Sequence, residues 1–421
     1  MKHILSYSLI ASLVLFYSCS GSDANENNPI IDVESALGTG KIHNASEFIK
    51  EIKYVPLETS SSSMVGNIRK VFVEGGKIYV WDDKSIINIF SITGRHLNTL
   101  NRVGRGPEEY ANMSDFIIAE NGNIFILSQN KEIIEYDNSL KFIRKTEFGS
   151  DARYLDFISL GNGLFASNII EFSMESRSSE ERWTVYDYHD SLKTRFSYSS
   201  EATTRTAGGT GIDQAPIFYI RLNPYKQYKH NNDLNIYKRG NDTIFNIDIE
   251  NDYSKSARYI FNYGKYVFLE EMESGINSAP ADLKAISLTS LLESNDYLFL
   301  EFNFRGLSPE PFEIESDYMV VNGTRITTQE GRNTDVYAIY HKKRREIILL
   351  NQSSPRTLGL KDDVTDGVVF WPKHITTKQE LVTWHDAYEL IFLAEEGKID
   401  KSLVANLQED DNPVIVIATP K

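Results

Sequence analysis

The chain has 421 residues, with 44 basic and 59 acidic side chains, a formal net charge of −15 and a single cysteine. So acidic a surface argues against binding to nucleic acid and against adhesion to anionic lipid, because both carry negative charge themselves. A single cysteine cannot form an intramolecular disulfide, so the fold depends on packing alone. The chain is long enough to bury a large core.

The first residues have the features of an export signal. A basic start is followed by an apolar run over residues 4–17, which is shorter than the ~20 residues that a transmembrane helix needs. The lone Cys19 comes directly after the small Ser18, as at the cleavage site of a bacterial lipoprotein. We predict a signal peptide over residues 1–18 and a lipid anchor on Cys19. The alternative is an ordinary signal peptide with an unrelated cysteine.

Residues 19–46 are predicted to form a lipidated polar tether and an N-terminal segment, and the rest of the chain is rich in short β-type runs. One pattern recurs at intervals of about 45–60 residues, with one longer interval. In this pattern, apolar residues around an aromatic residue precede a polar turn and a second strand. The six aromatic anchors of the pattern are Phe90, Tyr136, Tyr186, Phe245, Tyr337 and Phe392. The last copy reads "ELIFLAEEGKIDKS" (389–402).

Four-stranded antiparallel units at this spacing predict an all-β fold, a six-bladed β-propeller that occupies residues 47–421 as one domain. The longer interval contains residues 267–294, which we interpret as a helical insertion. Strand-like runs at 51–58 and 412–420 predict that the two ends of the chain share one blade and close the ring. A β-sandwich or two small β domains are the alternatives.

Four segments carry a family resemblance: "EIKYVPLETS", "FSITGRHLNTLNRVGRGPEEY", "NDTIFNIDIE" and "QEDDNPVIVIATPK". With them the chain resembles the NHL/TolB-like six-bladed β-propeller lipoproteins that occur in many copies in gut Bacteroidota. The resemblance covers nearly the whole mature chain. It implies the propeller fold and a lipidated location in the cell envelope, and it implies no reaction and no functional residues.

The stretch "NRVGRGPEEY" (101–110) is the first candidate site. It lacks the third glycine of a dinucleotide-binding loop and the Gly-Lys-Ser/Thr of a P-loop. We interpret it as a corner between blades, in which glycines give the positive φ or the close approach that a tight turn needs and a proline stiffens the chain. The alternative is a set of ligand contacts at the mouth of the central channel, formed by Arg102, Arg105, Glu108, Glu109 and Tyr110.

A second candidate is "TKQELVTWHDAYEL" (377–390), which is predicted to place Trp384 and His385 at a turn between strands. The pair could contact a ligand at the rim, and the alternative is an ordinary hydrogen-bonded turn. No histidines are paired at metal-ligand spacing, and no nucleophile elbow is present. The sequence therefore predicts no catalytic residue, no metal ligand and no cofactor.

Together these observations predict an exported outer-membrane lipoprotein that acts as a non-enzymatic binding or scaffold propeller. Its lipid anchor would attach it to the membrane, on the periplasmic side or at the cell surface. Its partner would be a polypeptide, a glycan or another envelope component, and nucleic acid is excluded by charge. The alternative is a metal-dependent hydrolase or lyase of the propeller-lactonase type, with its site in the central channel.

Overall fold

Short β-strands form almost all of the regular structure. The computed structural model describes residues 28–129, 131–147, 152–173, 178–187, 193–202, 205–206, 218–219, 226–231, 233–238, 240–266, 284–307, 318–321, 324–327, 335–352 and 358–421. In this part of the chain, six four-stranded antiparallel sheets follow one another as the blades of a propeller. No helix in these ranges is long and apolar enough to cross a membrane.

The described chain begins with a segment that lies along the outside of the ring. It contains β1 (Ile30–Asp32), the short helix α1 (Val33–Ala36), a 3₁₀ turn (Ala45–Glu47) and β2 (Ile49–Pro56).

Blades 1 to 3 follow in order. Blade 1 contains β3 (Ile68–Glu74), β4 (Lys77–Asp82), β5 (Ile87–Ser91) and β6 (His96–Leu100). Blade 2 contains β7 (Met113–Ile118), β8 (Ile124–Ser128), β9 (Glu132–Tyr136) and β10 (Phe142–Glu147). Blade 3 contains β11 (Ala152–Gly161), β12 (Leu164–Ser173), β13 (Ser178–Asp187) and β14 (Lys193–Ala202), and a separate hairpin of β15 (Arg205–Thr206) and β16 (Phe218–Tyr219) follows it.

Blades 4 and 5 come next. Blade 4 contains β17 (Lys226–His230), β18 (Asp233–Tyr237), β19 (Thr243–Asp248) and β20 (Ser254–Asn262), and a 3₁₀ turn (Gly264–Tyr266) follows. Blade 5 begins with β21 (Ala285–Glu293) and β22 (Tyr297–Arg305). A small hairpin of β23 (Tyr318–Val321) and β24 (Thr324–Thr327) precedes its last two strands, β25 (Asp335–His341) and β26 (Glu346–Leu350).

Blade 6 combines the two ends of the chain. Its elements are β27 (His374–Ile375), β28 (Leu381–His385), the helix α2 (Ala387–Glu395), a 3₁₀ turn (Lys401–Val404) and β29 (Val414–Pro420). The fourth strand is β2, which pairs antiparallel with β29 from Ile49↔Pro420 to Pro56↔Val414. The predicted closure of the ring by a shared blade is therefore confirmed.

The N-terminal segment also covers the outer edges of the two blades before the closure. Strand β1 adds to β20 in parallel as a fifth strand of blade 4, with Ile31 opposite Phe261. Farther along, the Lys41 N–H donates to the Leu349 carbonyl of blade 5 at 3.2 Å. Because Ile31 and Val33 are fully buried, this segment is part of the packed fold.

An apolar cluster fills each gap between neighbouring blades. Each cluster combines side chains from two successive sheets, for example Ile89 and Phe116 between blades 1 and 2, Phe125 and Phe165 between 2 and 3, Trp183 and Ile236 between 3 and 4, Phe261 and Phe302 between 4 and 5, Phe299 and Leu381 between 5 and 6, and Ile415 and Phe90 between 6 and 1. Full burial of one such side chain stabilises the fold by ~1.5–3 kcal/mol. These contacts hold the ring together without a disulfide.

Two expectations about local structure need correction. The predicted helical insertion is wrong over residues 285–293, which form β21, and its remaining part at 267–283 lies outside the described residues. The sixth aromatic anchor is also wrong, because Phe392 lies in α2. The buried residues of that helix are Ala387, Leu390 and Ala394, and this spacing places one stripe of a helix against the core.

Strand direction gives the ring two different faces. In each blade the innermost strand ends at the first hairpin, and the outermost strand leads back to the next blade. We call the end of the channel with the first hairpins the hairpin face, and the end with the connections between blades the crossover face. Helix α2, between the second and third strands of blade 6, lies at the crossover face.

Candidate functional site

The innermost strands of all six blades surround a cavity of about 720 Å³. It is lined mainly by the last residues of these strands and by the hairpins that follow, so it opens at the hairpin face. The lining residues at this opening include Glu74, Glu120, Lys229, Thr377 and Gln379. A concave site of this size, with apolar walls and a few polar groups, is typical of a ligand-binding pocket.

The walls of the cavity carry one large apolar side chain from each blade. We call this set the apolar collar, and its members are Phe72, Ile118, Ile158, Tyr228, Leu292 and Ile375. Every member is only partly buried, whereas the neighbouring core side chains Val71, Val73 and Leu291 are almost fully buried. The propeller therefore leaves apolar surface of all six blades facing the channel.

Polar contacts join each blade to the next around the same channel. We call them the tie ring. Going round from blade 1, the contacts are Lys70 Nζ to Asp115 Oδ1 (2.6 Å), Phe157 N to Asp115 Oδ2 (3.3 Å), Gln227 Nε2 to Asp156 Oδ1 (3.1 Å), Tyr228 OH to Glu293 Oε2 (2.8 Å), Asn295 N to Gln379 Oε1 (2.8 Å) and Thr377 Oγ1 to Glu74 Oε1 (2.8 Å). The ring fixes the relative positions of the blades at the collar.

The strongest electrostatic group of the ring is Glu293, whose side chain is 0% exposed. Arg258 donates to both carboxylate oxygens, from Nε at 3.1 Å and Nη2 at 2.8 Å, and Lys342 Nζ donates at 2.6 Å. The hydroxyls of Tyr228 and Tyr259 donate as well, at 2.8 and 3.1 Å. Burial alone would raise the pKa of Glu293, but the hydrogen bonds from Arg258 and the charge of Lys342 lower it to about 2.

Other titratable groups near the collar also have shifted pKa values, His374 and Asp156 among them. Burial, with a smaller contribution from the charge of Lys70, lowers the pKa of His374 to about 4. The imidazole is therefore neutral at pH 7, and it contacts the ring of Phe72 edge-on at a centroid distance of 5.0 Å. Burial and the nearby Asp115 raise the pKa of Asp156. Neutral imidazole and apolar side chains give this part of the channel little net charge.

The carboxylates of the tie ring are already bound to donors of the protein. Asp115 accepts from Lys70, and Glu293 accepts from Arg258 and Lys342. Within the described ranges, no group of three or more His, Cys, Asp and Glu side chains is arranged to hold a metal ion. The chemistry that this site offers is recognition by apolar contact and hydrogen bonding.

Residues 28–419 match the family model described as "Domain of unknown function (DUF4934)". The chain belongs to the DUF4934 family. Among curated proteins, none matches the sequence. The narrower likeness to NHL/TolB-like lipoproteins stays an expectation from the sequence.

One solved structure shares the fold of this DUF4934 chain. A candidate exported protein from Bacteroides fragilis has a TM-score of 0.61 and 16% identity, with 93% of this chain and 99% of that one covered. Lower scores are found for the WD40 repeats of RRP9, with a TM-score of 0.39, 10% identity and coverage of 90% and 99%. The structure of U3-55K has a TM-score of 0.39, 12% identity and coverage of 90% and 100%.

The stretch 101–110 of the DUF4934 propeller connects β6 to β7, so it lies at the crossover face, away from the cavity opening. Its shape comes from close approach and not from positive φ, because neither glycine has a positive φ. A Cβ on Gly104 would collide with the Glu109 carboxylate, which accepts a hydrogen bond from Gly106 N at 2.8 Å. Tyr110 is fully buried, and its hydroxyl donates to the Ser85 carbonyl at 2.9 Å. These contacts support the corner interpretation.

The other predicted ligand contacts of this stretch remain on the surface. Arg102, Arg105 and Glu108 are exposed, and Glu109 is partly buried. The structure brings them together in one loop at the crossover face, and their role in binding stays a prediction. Tyr110 has a packing position between blades 1 and 2, so a ligand could reach its ring only if the corner opened.

Trp384 and His385 end β28, and α2 begins directly after them, so the expected turn between two strands is a strand-to-helix junction. Lys373 Nζ lies 4.4 Å from the centroid of the Trp384 ring. His385 Nδ1 lies 3.4 Å from Glu389 Oε2. The pair is at the crossover face too, and a ligand-binding role for it stays a prediction. Cys19 lies outside the described residues, so its lipidation also stays a prediction.

No local motif in the sequence indicates the residues that line the cavity at the hairpin face. Its collar and tie ring come from six strands that are far apart in the chain. One local signal exists in blade 1, where Lys70, Phe72 and Glu74 alternate with the buried Val71 and Val73. This period of two shows which side chains share a face of the strand, but it does not show that the face points into a channel.

Proposed function

We propose that this DUF4934 protein is an exported, lipid-anchored binding or scaffold propeller of the cell envelope, and that it holds a polypeptide partner at the hairpin face. The observation that carries this proposal is the cavity built by the innermost strands of all six blades. Because every blade contributes residues to this site, it is complete only when the ring is closed. Such sites are common where propellers and barrels bind ligands.

The location rests on the N-terminal sequence. The basic start, the apolar run over residues 4–17 and Cys19 favour export and lipidation, and an anchor with several acyl chains would hold the protein stably in a membrane. A structural relative from Bacteroides fragilis carries the description of a candidate exported protein, which agrees with export. The outer membrane and the NHL/TolB-like lipoproteins remain parts of the proposal that come from sequence resemblance.

Binding is favoured over catalysis because two acidic groups of the tie ring, Asp115 and Glu293, are already engaged by cations of the protein. A metal-dependent hydrolase needs carboxylates that are free to hold an ion, and Asp115 and Glu293 accept hydrogen bonds from cationic side chains of the protein. A polypeptide is favoured over a glycan because four of the six collar side chains are aliphatic, whereas sugars are bound chiefly through directional hydrogen bonds and stacking on aromatic rings. The net charge of −15 disfavours nucleic acid.

Site-specific photo-crosslinking in intact cells tests the site. A photoreactive amino acid replaces Glu120, which lines the cavity and is 72% exposed. The matched control replaces Ile143, which is 45% exposed on the outer strand of the same blade. We expect a discrete protease-sensitive adduct from position 120 and none from position 143. A protease-resistant, sugar-containing adduct would show that the partner is a glycan and not a polypeptide. If the photoreactive amino acid gives adducts only when it replaces Arg105, the site lies at the crossover face.

Cys19→Ala tests the anchor. The variant should move from the membrane pellet to the soluble fraction after detergent-free fractionation, because it lacks the residue that would carry the acyl chains. Wild-type protein labelled with a clickable fatty acid is the control. A variant that stays in the pellet without lipid would contradict the lipid anchor, and it would not affect the proposal of a binding site at the hairpin face.

A further inference from the structure

The apolar collar and the charges around it restrict the chemistry of the partner. Resting on the function proposed above, we infer that the collar takes one large aliphatic or aromatic side chain of a polypeptide segment, next to a lysine or arginine that contacts Glu120 and Glu74. The partner would be recognised by a short sequence pattern, one large apolar residue next to one basic residue. It is carried by the six half-buried collar residues and by the acidic groups at the opening.

The apolar half of the pattern follows from the collar. Phe72, Ile118, Ile158, Leu292 and Ile375 keep part of their apolar surface accessible, although each lies beside a well-packed core cluster. A ligand that covers this surface is favoured by the hydrophobic effect, in proportion to the area removed from water. Neutral His374 lies among these side chains, so nothing in the collar selects a charged group.

The basic half follows from the opening. Glu120 is exposed, and its partner Lys229 is 3.7 Å away and also donates to the Leu160 carbonyl at 3.2 Å. Glu74 accepts hydrogen bonds from the hydroxyl of Thr377 and from Gly75 N, both of which are neutral donors. Among the charged side chains that line the opening, Glu74 and Glu120 outnumber Lys229, so the lining carries excess negative charge. Because Lys70 is engaged with Asp115 and Phe116, no free cation of the collar would attract a carboxylate.

This distribution of charge separates a peptide from a fatty acid. Both could place an aliphatic chain in the collar, but the head group of a fatty acid is an anion and would meet Glu74 and Glu120. A basic side chain beside the apolar one has the complementary charge. Charge at the opening therefore decides between two ligands with the same apolar part.

The test is selection of dodecapeptides from a randomised library on the immobilised mature protein, followed by fluorescence anisotropy with the selected peptide. We expect a large apolar residue next to lysine or arginine. Ile158→Gln should weaken binding about tenfold, because a polar side chain replaces part of the collar. Glu120→Gln should weaken it by about threefold and reduce its dependence on salt. Ile143→Gln, on the outer strand of blade 2, should leave binding unchanged.

Several results would overturn the inference. The first is a set of selected peptides that are acidic or lack a large apolar residue. The second is displacement of the peptide by laurate at equal concentration. The third is unchanged binding by Glu120→Gln, whose position is exposed, so that the variant is expected to fold. Selection of other peptides together with a cellular adduct at position 120 would leave the proposed function standing and reject only this chemistry. Apolar–basic peptides that bind at the collar without any cellular adduct would support the chemistry and reject the polypeptide-binding role in the cell.

Discussion

The two faces of the propeller use polar side chains in different ways. At the crossover face, polar contacts fix the shape of the corner 101–110: Glu109 accepts from Gly106 within it, and blade 2 side chains donate to its backbone carbonyls. At the hairpin face, polar side chains reach from one blade to the next, and apolar side chains are left facing the channel. The contacts at the crossover face serve to turn the chain, whereas the hairpin face presents apolar side chains that a partner could contact.

This difference shows why a noticeable motif and a binding site need not coincide. The corner is visible in the sequence because its glycines, proline and acids are adjacent. The cavity is not visible because each blade contributes only a few ordinary residues. Four experiments test this contrast between the two faces.

The largest effect is expected for Glu293→Ala at the hairpin face. The change removes the carboxylate that Arg258 and Lys342 share, and Arg258 keeps its ion pair with Asp233 at 2.7 Å. The loss should cost ~3 kcal/mol of the free energy of unfolding, the lower end of the range for breaking a buried ion pair. Glu120→Ala, at an exposed position of the same face, should cost less than ~0.5 kcal/mol. Denaturant unfolding of both variants measures the difference. Equal midpoints would show that the tie between blades 4 and 5 adds nothing to stability.

At the crossover face, Gly104→Val should cost about 1 kcal/mol. The new side chain displaces the Glu109 carboxylate and breaks its hydrogen bond with Gly106 N, and one such bond contributes ~0.5–1.5 kcal/mol. In a Glu109→Ala background the same change should cost much less, because the obstacle is gone. A cost that is the same in both backgrounds would reject close approach as the reason for this glycine.

His374→Gln should change the pH dependence of stability and leave stability at neutral pH almost unaltered. The folded protein holds the pKa of His374 at about 4, against an ordinary value of 6.5, so the unfolded chain takes up a proton first as pH falls. The stability that comes from the neutral ring is complete above pH 6.5 and is lost as pH falls towards 4. Melting temperatures of the two proteins should agree near neutral pH and separate as pH falls from 6.5 towards 4, with the wild type the lower of the two. Parallel curves would contradict the assignment.

The smallest effects are expected for Arg105→Ala and Glu108→Ala. Both side chains are exposed at the crossover face, so each change should alter the free energy of unfolding by less than ~0.5 kcal/mol. Neither should affect the photo-crosslink at position 120. Loss of partner binding in variants that fold normally would return the ligand site to the crossover face, where the sequence alternative had placed it.

Much of the fold follows from the sequence because each blade repeats one local pattern. The first five aromatic anchors lie on the third strands of blades 1 to 5, where Phe90 and Tyr136 are fully buried and Tyr186 nearly so. The sixth fails because blade 6 interrupts the pattern with α2 and takes its last strand from the other end of the chain. The spacing of four residues between Leu390 and Ala394 is typical of one face of a helix, but a short apolar run of this length also fits a strand.

The site could not be predicted to the same extent. Ile118 and Ile375 are unremarkable in sequence, and they become neighbours of one cavity only when blades 1 to 6 close into a ring. The candidates taken from local patterns, Arg105 and His385 among them, lie at the opposite face. Distances between side chains of different blades depend on the number and tilt of the blades, which no single stretch of sequence contains.

The pairing of β2 with β29 also orders the folding of the chain in time. Strand β2 leaves the ribosome, or the export channel, before any blade exists, and its partner β29 follows all the strands of blades 1 to 5. Closing a loop that contains almost the whole chain carries a large entropic cost and is slow. Blades 1 to 5 can fold and pack against one another before β2 has a partner. The edge of β29 is covered only when β2 pairs with it. A folding helper that shields this edge would therefore act late and on the last blade.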